Sequence, residues 1–225
     1  MRHASSPRKQ PVTAVYATLA AQVAATAALV VFEHARGSRL AREVSAFSGD
    51  THAPGAQALI GAATVFAILI IAVTVTTAAA VAVYLVWLTR TWRTAGPPGL
   101  PVRRLLAGWL VPPLNLVAPP ILLDRLWRAS HPPAGRRGPW LALLTAWWLS
   151  CLALLVMIAR RALPGSPAEA GLTGLGPAEL AAVAMACLLC ATTVRQISGA
   201  QAEARHRRRA SSRATRPTTP QAATN

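Results

Sequence analysis

Four apolar runs, at residues 12–32, 58–88, 140–159 and 177–194, carry no Asp, Glu, Lys, Arg or His in their interiors. A helix needs about 20 mainly apolar residues to cross a hydrocarbon core. Within lipid the backbone must satisfy its own polar groups, which leaves only helices and closed barrels. The second run is rich in Val, Ile and Thr, which alone would favour a strand, but its unbroken length is that of a buried helix. Of the chain's residues 53% are hydrophobic and 13% charged, against about a quarter charged in soluble domains. The expected fold class is therefore all-α, an integral membrane four-helix bundle. The first run follows a basic start, MRHASSPRKQ, as a signal peptide would. It is too long for a signal core and no small-x-small site follows, so it is expected to persist as a membrane helix.

The formal charge of +16 sits between the runs. Of the 23 Lys and Arg, eighteen lie in the N-terminal tail, the loop between the second and third runs, and the C-terminal segment; five lie in the other two loops. The positive-inside rule turns that bias into an orientation in a cell (inner) membrane with both termini cytoplasmic. The expected map is a basic cytoplasmic tail at 1–11, the four spans, extracytoplasmic loops at 33–57 and 160–176, a basic cytoplasmic-side loop at 89–139, and a basic tail at 195–225. The Pro/Thr-rich composition of that tail favours disorder. Tyr84, Trp87 and Trp92, with Trp140, Trp147 and Trp148, are expected to form aromatic belts at the inner interface. Pro177 suits a first helical position and Glu179 the positive end of the dipole.

One segment fits neither a span nor a simple loop: GWLVPPLNLVAPPILLDRLWRAS, residues Gly108 to Ser130. Arg103 and Arg104 precede its uncharged part, and Arg125 and Arg128 follow. A crossing would put one basic cluster outside and invert the later helices. Pro112, Pro113, Pro119 and Pro120 remove four backbone donors and push their predecessors out of the helical region. The expectation is a cytoplasmic-side amphipathic or re-entrant helical hairpin over 101–130. One helix starts at Pro101 and another at Pro120, with LNLVA at the tip. Leu122, Leu123, Leu126 and Trp127 form an apolar face suited to the headgroup region, and Asp124 and Arg128 an i, i+4 pair on the polar side. Asn115 either satisfies backbone groups freed by the prolines or coordinates a ligand at a broken-helix site.

The residues Trp87, Leu88, Arg90, Trp109, Pro112, Asn115, Pro119, Asp124, Trp127, Arg128, Ala129 and Ser130 resemble a bacterial, largely actinobacterial, membrane-protein family called domain of unknown function 4328. There a helix ending in W-L-x-R leads to a W-x-x-P-x-x-N-x-x-x-P block and a W-R-A-S element before two more membrane helices. The likeness covers roughly residues 58–199. Both prolines of the block are doubled in this chain. The resemblance implies a topology and confers no activity.

Ala17, Ala21, Ala24 and Ala28 form a stripe that would allow close helix approach, and Gln22 is expected to make an interhelical hydrogen bond. Cys151, Cys187 and Cys190 lie within spans; a soft-metal or redox site is the alternative to their reading as small apolar residues. No nucleotide-binding loop, nucleophile elbow, zinc-protease motif or close acid pair is present, so no enzyme activity and no cofactor are expected. Buried charge of the kind that ion-coupled transporters use is also missing from the spans. Transport would need a site built from Asn115, Thr74, Thr76 and backbone groups. Arg205, Arg207, Arg208 and Arg209 are expected to face anionic lipid headgroups, at about 1 kcal/mol each. Nucleic acid is not an expected partner, for no aromatics are interleaved with the basic residues. The functional expectation is a non-enzymatic membrane scaffold or regulatory partner, acting with an unknown membrane protein or a second copy; the alternative is a small-solute or ion transporter or channel.

Overall fold

The computed structural model describes residues 10–46, 56–95, 101–130, 134–161 and 173–214, all the regular elements of which are helical. The expected N-terminal tail, the polar stretch SGDTHAPG and the end of the C-terminal tail lie outside the described residues. Four long helices form the frame: α1 Gln10–Phe32, α3 Ala56–Ala95, α7 Arg137–Arg161 and α8 Pro177–Ala214. Each is long and apolar enough to cross a membrane. The 40 residues of α3 extend roughly 60 Å, twice a hydrocarbon core.

The β-branched run does form a helix. Its threonine hydroxyls are absorbed by the helix itself: Thr64 donates to the Ile60 carbonyl at 2.8 Å, Thr74 to Ile70 at 2.9 Å and Thr77 to Val73 at 2.7 Å. With those donors satisfied, the outer surface of α3 presents Ile60, Val65, Ile68, Ile71, Val75, Val81 and Val86, all exposed. An apolar band of this extent needs a cover, and with four helices long and apolar enough to cross a membrane the protein is membrane-embedded.

α1 packs on α3 and α8, and α8 on α7. Val15, Thr26 and Leu29 of α1 are buried. Thr76 Oγ1 donates to Gln22 Oε1 at 2.6 Å, the interhelical bond expected of Gln22. The alanine stripe does not serve helix packing, because Ala17, Ala21, Ala24 and Ala28 are all exposed on the opposite face of α1. Alanine is abundant enough in this chain to fill an outer face as readily as an interface.

Two expected boundaries move. Residues 33–46, read as loop, continue α1 as a π-helical turn Glu33–Gly37 and then α2 Ser38–Ala46. Leu40 anchors this stretch in the core, and Arg39 Nε pairs with Glu43 at 2.7 Å. The C-terminal segment, expected to be disordered from residue 195, is helical as far as Ala214. It is rich in Ala and Arg, both strong helix formers, and its first turns pack through Val194, Ile197, Ala200 and Gln201.

The two ends of the bundle differ. At one, Phe32 stacks on Phe66 with centroids 6.2 Å apart. There the buried Glu33 carboxylate accepts from the Thr173 N–H and hydroxyl and from Gly174 N–H at 2.9 Å. Gly174 has φ 67°, a left-handed turn that suits glycine. α8 then starts at Pro177, and Glu179 accepts from Gly176 N–H at 2.8 Å, capping its own helix. The other end carries the N-terminus of α1, the C-terminus of α3, the start of α7 and the latter part of α8, together with the proline-rich hairpin.

Candidate functional site

The hairpin is three helices: α4 Val102–Leu110, the single turn α5 Pro112–Asn115 and α6 Ala118–Arg128. Each break has a local cause. Val111, forced extended by Pro112, has φ −88° and ψ 116°, which ends α4. Both proline pairs then occupy the first turn of a helix, where a missing N–H costs nothing. α6 consequently starts at Ala118, two residues before the expected Pro120. The returning arm crosses α4 closely at Gly108, where an added Cβ would meet Leu122 Cδ1 at 2.9 Å and Ala118 Cβ at 3.0 Å.

Both arms begin and end at the same end of the bundle. α4 packs on α3, and α6 on α7 and α8, so the hairpin fills the gap between α3 and α7. Leu105, Leu123, Leu126 and Trp127 are at most 4% exposed and join one core with Trp87, Leu88, Trp140, Val194 and Ile197. The apolar face of α6 is thus spent on protein rather than on headgroups, a correction to the interfacial reading. α6 runs antiparallel along α7. Near its base Trp127 stacks on Trp140 with centroids 5.3 Å apart and planes 6° from parallel. Near its tip Trp148 Nε1 donates to the Leu116 carbonyl at 3.1 Å. Trp148 lies eleven residues beyond Arg137, about 16 Å along α7. The tip therefore lies about 16 Å beyond the level of Arg137. Leu110, Val111, Leu114, Leu116 and Val117 are exposed around that tip.

Asp124 is buried, not on an exposed polar side as expected. Its carboxylate pairs with Arg128 and accepts from Trp140 Nε1 at 3.3 Å; the two partners make its burial tolerable. Arg128 keeps half its side chain in solvent. The buried Ser130 hydroxyl donates to the Leu126 carbonyl at 3.4 Å. Pro119 is fully buried under the tip. Pro112 contributes backbone to α5, and its side chain lies outside the described residues.

Trp109 lies between Tyr84 of α3, with centroids 5.2 Å apart, and Trp147 of α7, at 6.1 Å. Tyr84 also meets Trp87 at 5.6 Å. Tyr84, Trp87, Trp92, Trp140 and Trp147 are each at most 7% exposed. The aromatic belt expected at the surface is therefore the packing core of the hairpin end, because the hairpin covers it. Three polar atoms in this region are buried with no hydrogen-bond partner: the Tyr84 hydroxyl, Trp109 Nε1 and Asn115 Oδ1. The backbone-satisfying bond expected of the Asn115 side chain is absent among the described residues, whereas its N–H donates to Val111 at 2.9 Å.

Around the hairpin's base, Arg90, Arg93, Arg103, Arg104, Arg125, Arg136, Arg137 and Arg195 are exposed. Arg136 pairs with Glu203 of α8 at 3.1 Å. On the α8 extension Arg205 is half-buried and Arg207 exposed, while the side chains of Arg208 and Arg209 lie outside the described residues. Cys151 and Cys187 are half-buried, Cys190 is buried, and all three are free thiols. Among the described residues no three His, Cys, Asp or Glu are grouped to hold a metal ion.

No curated protein and no solved structure matches the chain. The profile of one family, Domain of unknown function (DUF4328), matches residues 49–199, from before α3 through the hairpin and α7 to the middle of α8. With the proline-broken hairpin, its tryptophan neighbours and the flanking helices all inside that match, the chain belongs to this family of proteins of unknown function.

Proposed function

We propose that this protein is a non-enzymatic scaffold or regulatory partner in a bacterial cell membrane, with its hairpin end cytoplasmic and bound to anionic lipid headgroups. The carrying observation is that the hairpin is docked, apolar face inward, at the same end of the bundle as the exposed arginines. This end joins a rigid aromatic core to a ring of positive charge, an arrangement suited to holding a surface at the headgroup level. The arginine bias between loops supports the cytoplasmic orientation.

The full chain purified with its native lipids, analysed by mass spectrometry, tests this reading. The expected result is retained anionic phospholipid together with a membrane-protein partner or a second copy. Neutral lipid on a lone chain would overturn it. Arg103→Cys and Arg136→Cys, in a background lacking the three native cysteines, should both react with an impermeant thiol reagent from the cytoplasmic face only.

A second reading, a small-solute or ion pathway at Asn115, draws support from the broken helix at the tip and the unpartnered Asn115 Oδ1. Broken helices at mid-membrane are where transporters place such groups. Asn115→Leu should abolish flux in reconstituted vesicles if this reading holds, and unchanged flux would exclude it.

A further inference from the structure

α1 and α3 leave a groove of about 330 Å³ on their outer side at the hairpin end, lined by Pro11, Ala14, Ala82, Val83, Val86 and Arg90. The small side chains of Ala14 and Ala82 make the depression, and the valines extend its wall. From Arg90 to Ala82 is eight residues along α3, about 12 Å, and the only charge in the lining is at the mouth. The N-terminus of α1 lies at the same mouth, since its second residue is Pro11, so the positive end of that helix dipole adds to the arginine. Arg90 is exposed and makes no ion pair with another described residue.

We propose that this groove is a binding site for one anionic phospholipid, with an acyl chain against Ala14, Ala82, Val83 and Val86 and the headgroup phosphate at Arg90. The inference rests on the lipid-binding reading above and gives it a specific seat. An apolar channel with a cation at its mouth is complementary to an amphiphile with an anionic head. A second copy of the chain fits less well. At this end the described carboxylates, Asp124 and Glu203, are already paired with Arg128 and Arg136, which leaves none to answer Arg90.

The test is native mass spectrometry of the full chain in detergent, titrated with phosphatidylglycerol or phosphatidylcholine, with variants Arg90→Gln and Ala82→Leu. Ala82 is exposed, so leucine fills the groove without entering the core, and helical circular dichroism checks that each variant folds. The wild type should hold one phosphatidylglycerol well above the remaining adducts. Arg90→Gln should weaken that adduct on the order of fivefold, the effect of about one surface charge, and Ala82→Leu should remove it. Arg160→Gln, an exposed position at the opposite end of the bundle, should leave it unchanged. Inorganic phosphate at millimolar concentration should fail to displace the lipid; displacement by phosphate alone would show that the acyl groove is not used. Folded variants that bind as wild type while phosphatidylglycerol remains generally preferred would overturn this site and leave the broader reading standing. Equal binding of the two lipids by the wild type would overturn both. Pairing of chains through the groove, seen as dimers that Ala82→Leu abolishes, would also overturn the lipid assignment.

Discussion

Gly108→Ala, set against Gly61→Ala, tests whether the hairpin is held by close contact. Both glycines lie in helices, where alanine is favoured by about 1 kcal/mol. At Gly61 a new Cβ has nothing within 4 Å, so the full gain of about 1 kcal/mol should appear. At Gly108 it would stand 2.9 Å from Leu122 Cδ1 and 3.0 Å from Ala118 Cβ. The leucine tip can swing away. Ala118 Cβ cannot, since it is fixed to the backbone beside the fully buried Pro119. The arms must therefore separate by some tenths of an ångström. Overpacking of this kind costs about 1–3 kcal/mol, so the net change runs from about zero to 2 kcal/mol of destabilisation. A chain of this size shifts by roughly 2–4 °C per kcal/mol, which places the two variants roughly 2–12 °C apart. Thermal melts in detergent followed by near-ultraviolet circular dichroism report the packed tryptophans directly. A Gly108→Ala protein melting at or above Gly61→Ala would refute the close crossing of the arms.

Asp124→Asn keeps an acceptor for Trp140 Nε1 and loses only a half-exposed ion pair, so it should cost under about 1 kcal/mol; Asp124→Leu leaves that indole donor buried and unpaired and should cost about 1–3 kcal/mol, both read from denaturant titrations. Gln22→Leu removes the bond from Thr76 and should cost about 0.6 kcal/mol, the usual size of such bonds in membranes, measured in the same way. Asn115→Leu should leave the melting temperature unchanged or raise it, because the amide oxygen it removes is buried without a partner; a loss of several degrees would show a structural bond. Glu203→Gln should change stability little at any ionic strength, since its pair with Arg136 is exposed on both sides.

The spans were legible because lipid imposes one rule over long stretches, and runs without charge are sufficient to state it. Gln22 was legible for the same reason: a lone polar side chain in such a run needs a partner, and Thr76 provides it. The proline pairs announced the broken hairpin. Its burial was harder to read, because the pattern Leu122, Leu123, Leu126, Trp127 marks an apolar face without saying whether lipid or protein covers it. The tryptophans misled in the same way, since Trp140 and Trp147 have the composition and placement of an interfacial belt. The signal that separates the cases is their alignment: Tyr84, Trp109 and Trp147 come from three segments that must meet once the hairpin folds back. The clasp between Glu33 and Thr173 had no local signature, for 140 residues separate its partners.

The doubled prolines acquire a physical reason from their place at the two helix starts of the hairpin tip. A helix start exposes N–H groups that have no partner within the helix, and in a hydrocarbon layer each one left unpaired is costly. The hairpin tip contains two such starts, those of α5 and α6. Proline in the first turn removes the donor altogether, and a pair removes two. At α5 and α6 the pairs Pro112–Pro113 and Pro119–Pro120 delete four donors where a break would otherwise leave them without a partner in the helix. Near the tip Asn115 N–H donates to the Val111 carbonyl, Val117 N–H donates to the Leu114 carbonyl at 3.2 Å, and the Leu116 carbonyl accepts from Trp148 Nε1. The same residues that break this segment into short helices therefore allow its backbone to turn round within the bundle. Of the buried side-chain polar atoms left without a partner among the described residues, those of Tyr84, Trp109 and Asn115 lie among the aromatic rings where α3, α7 and the hairpin meet, and Gln201 Nε2 lies on α8.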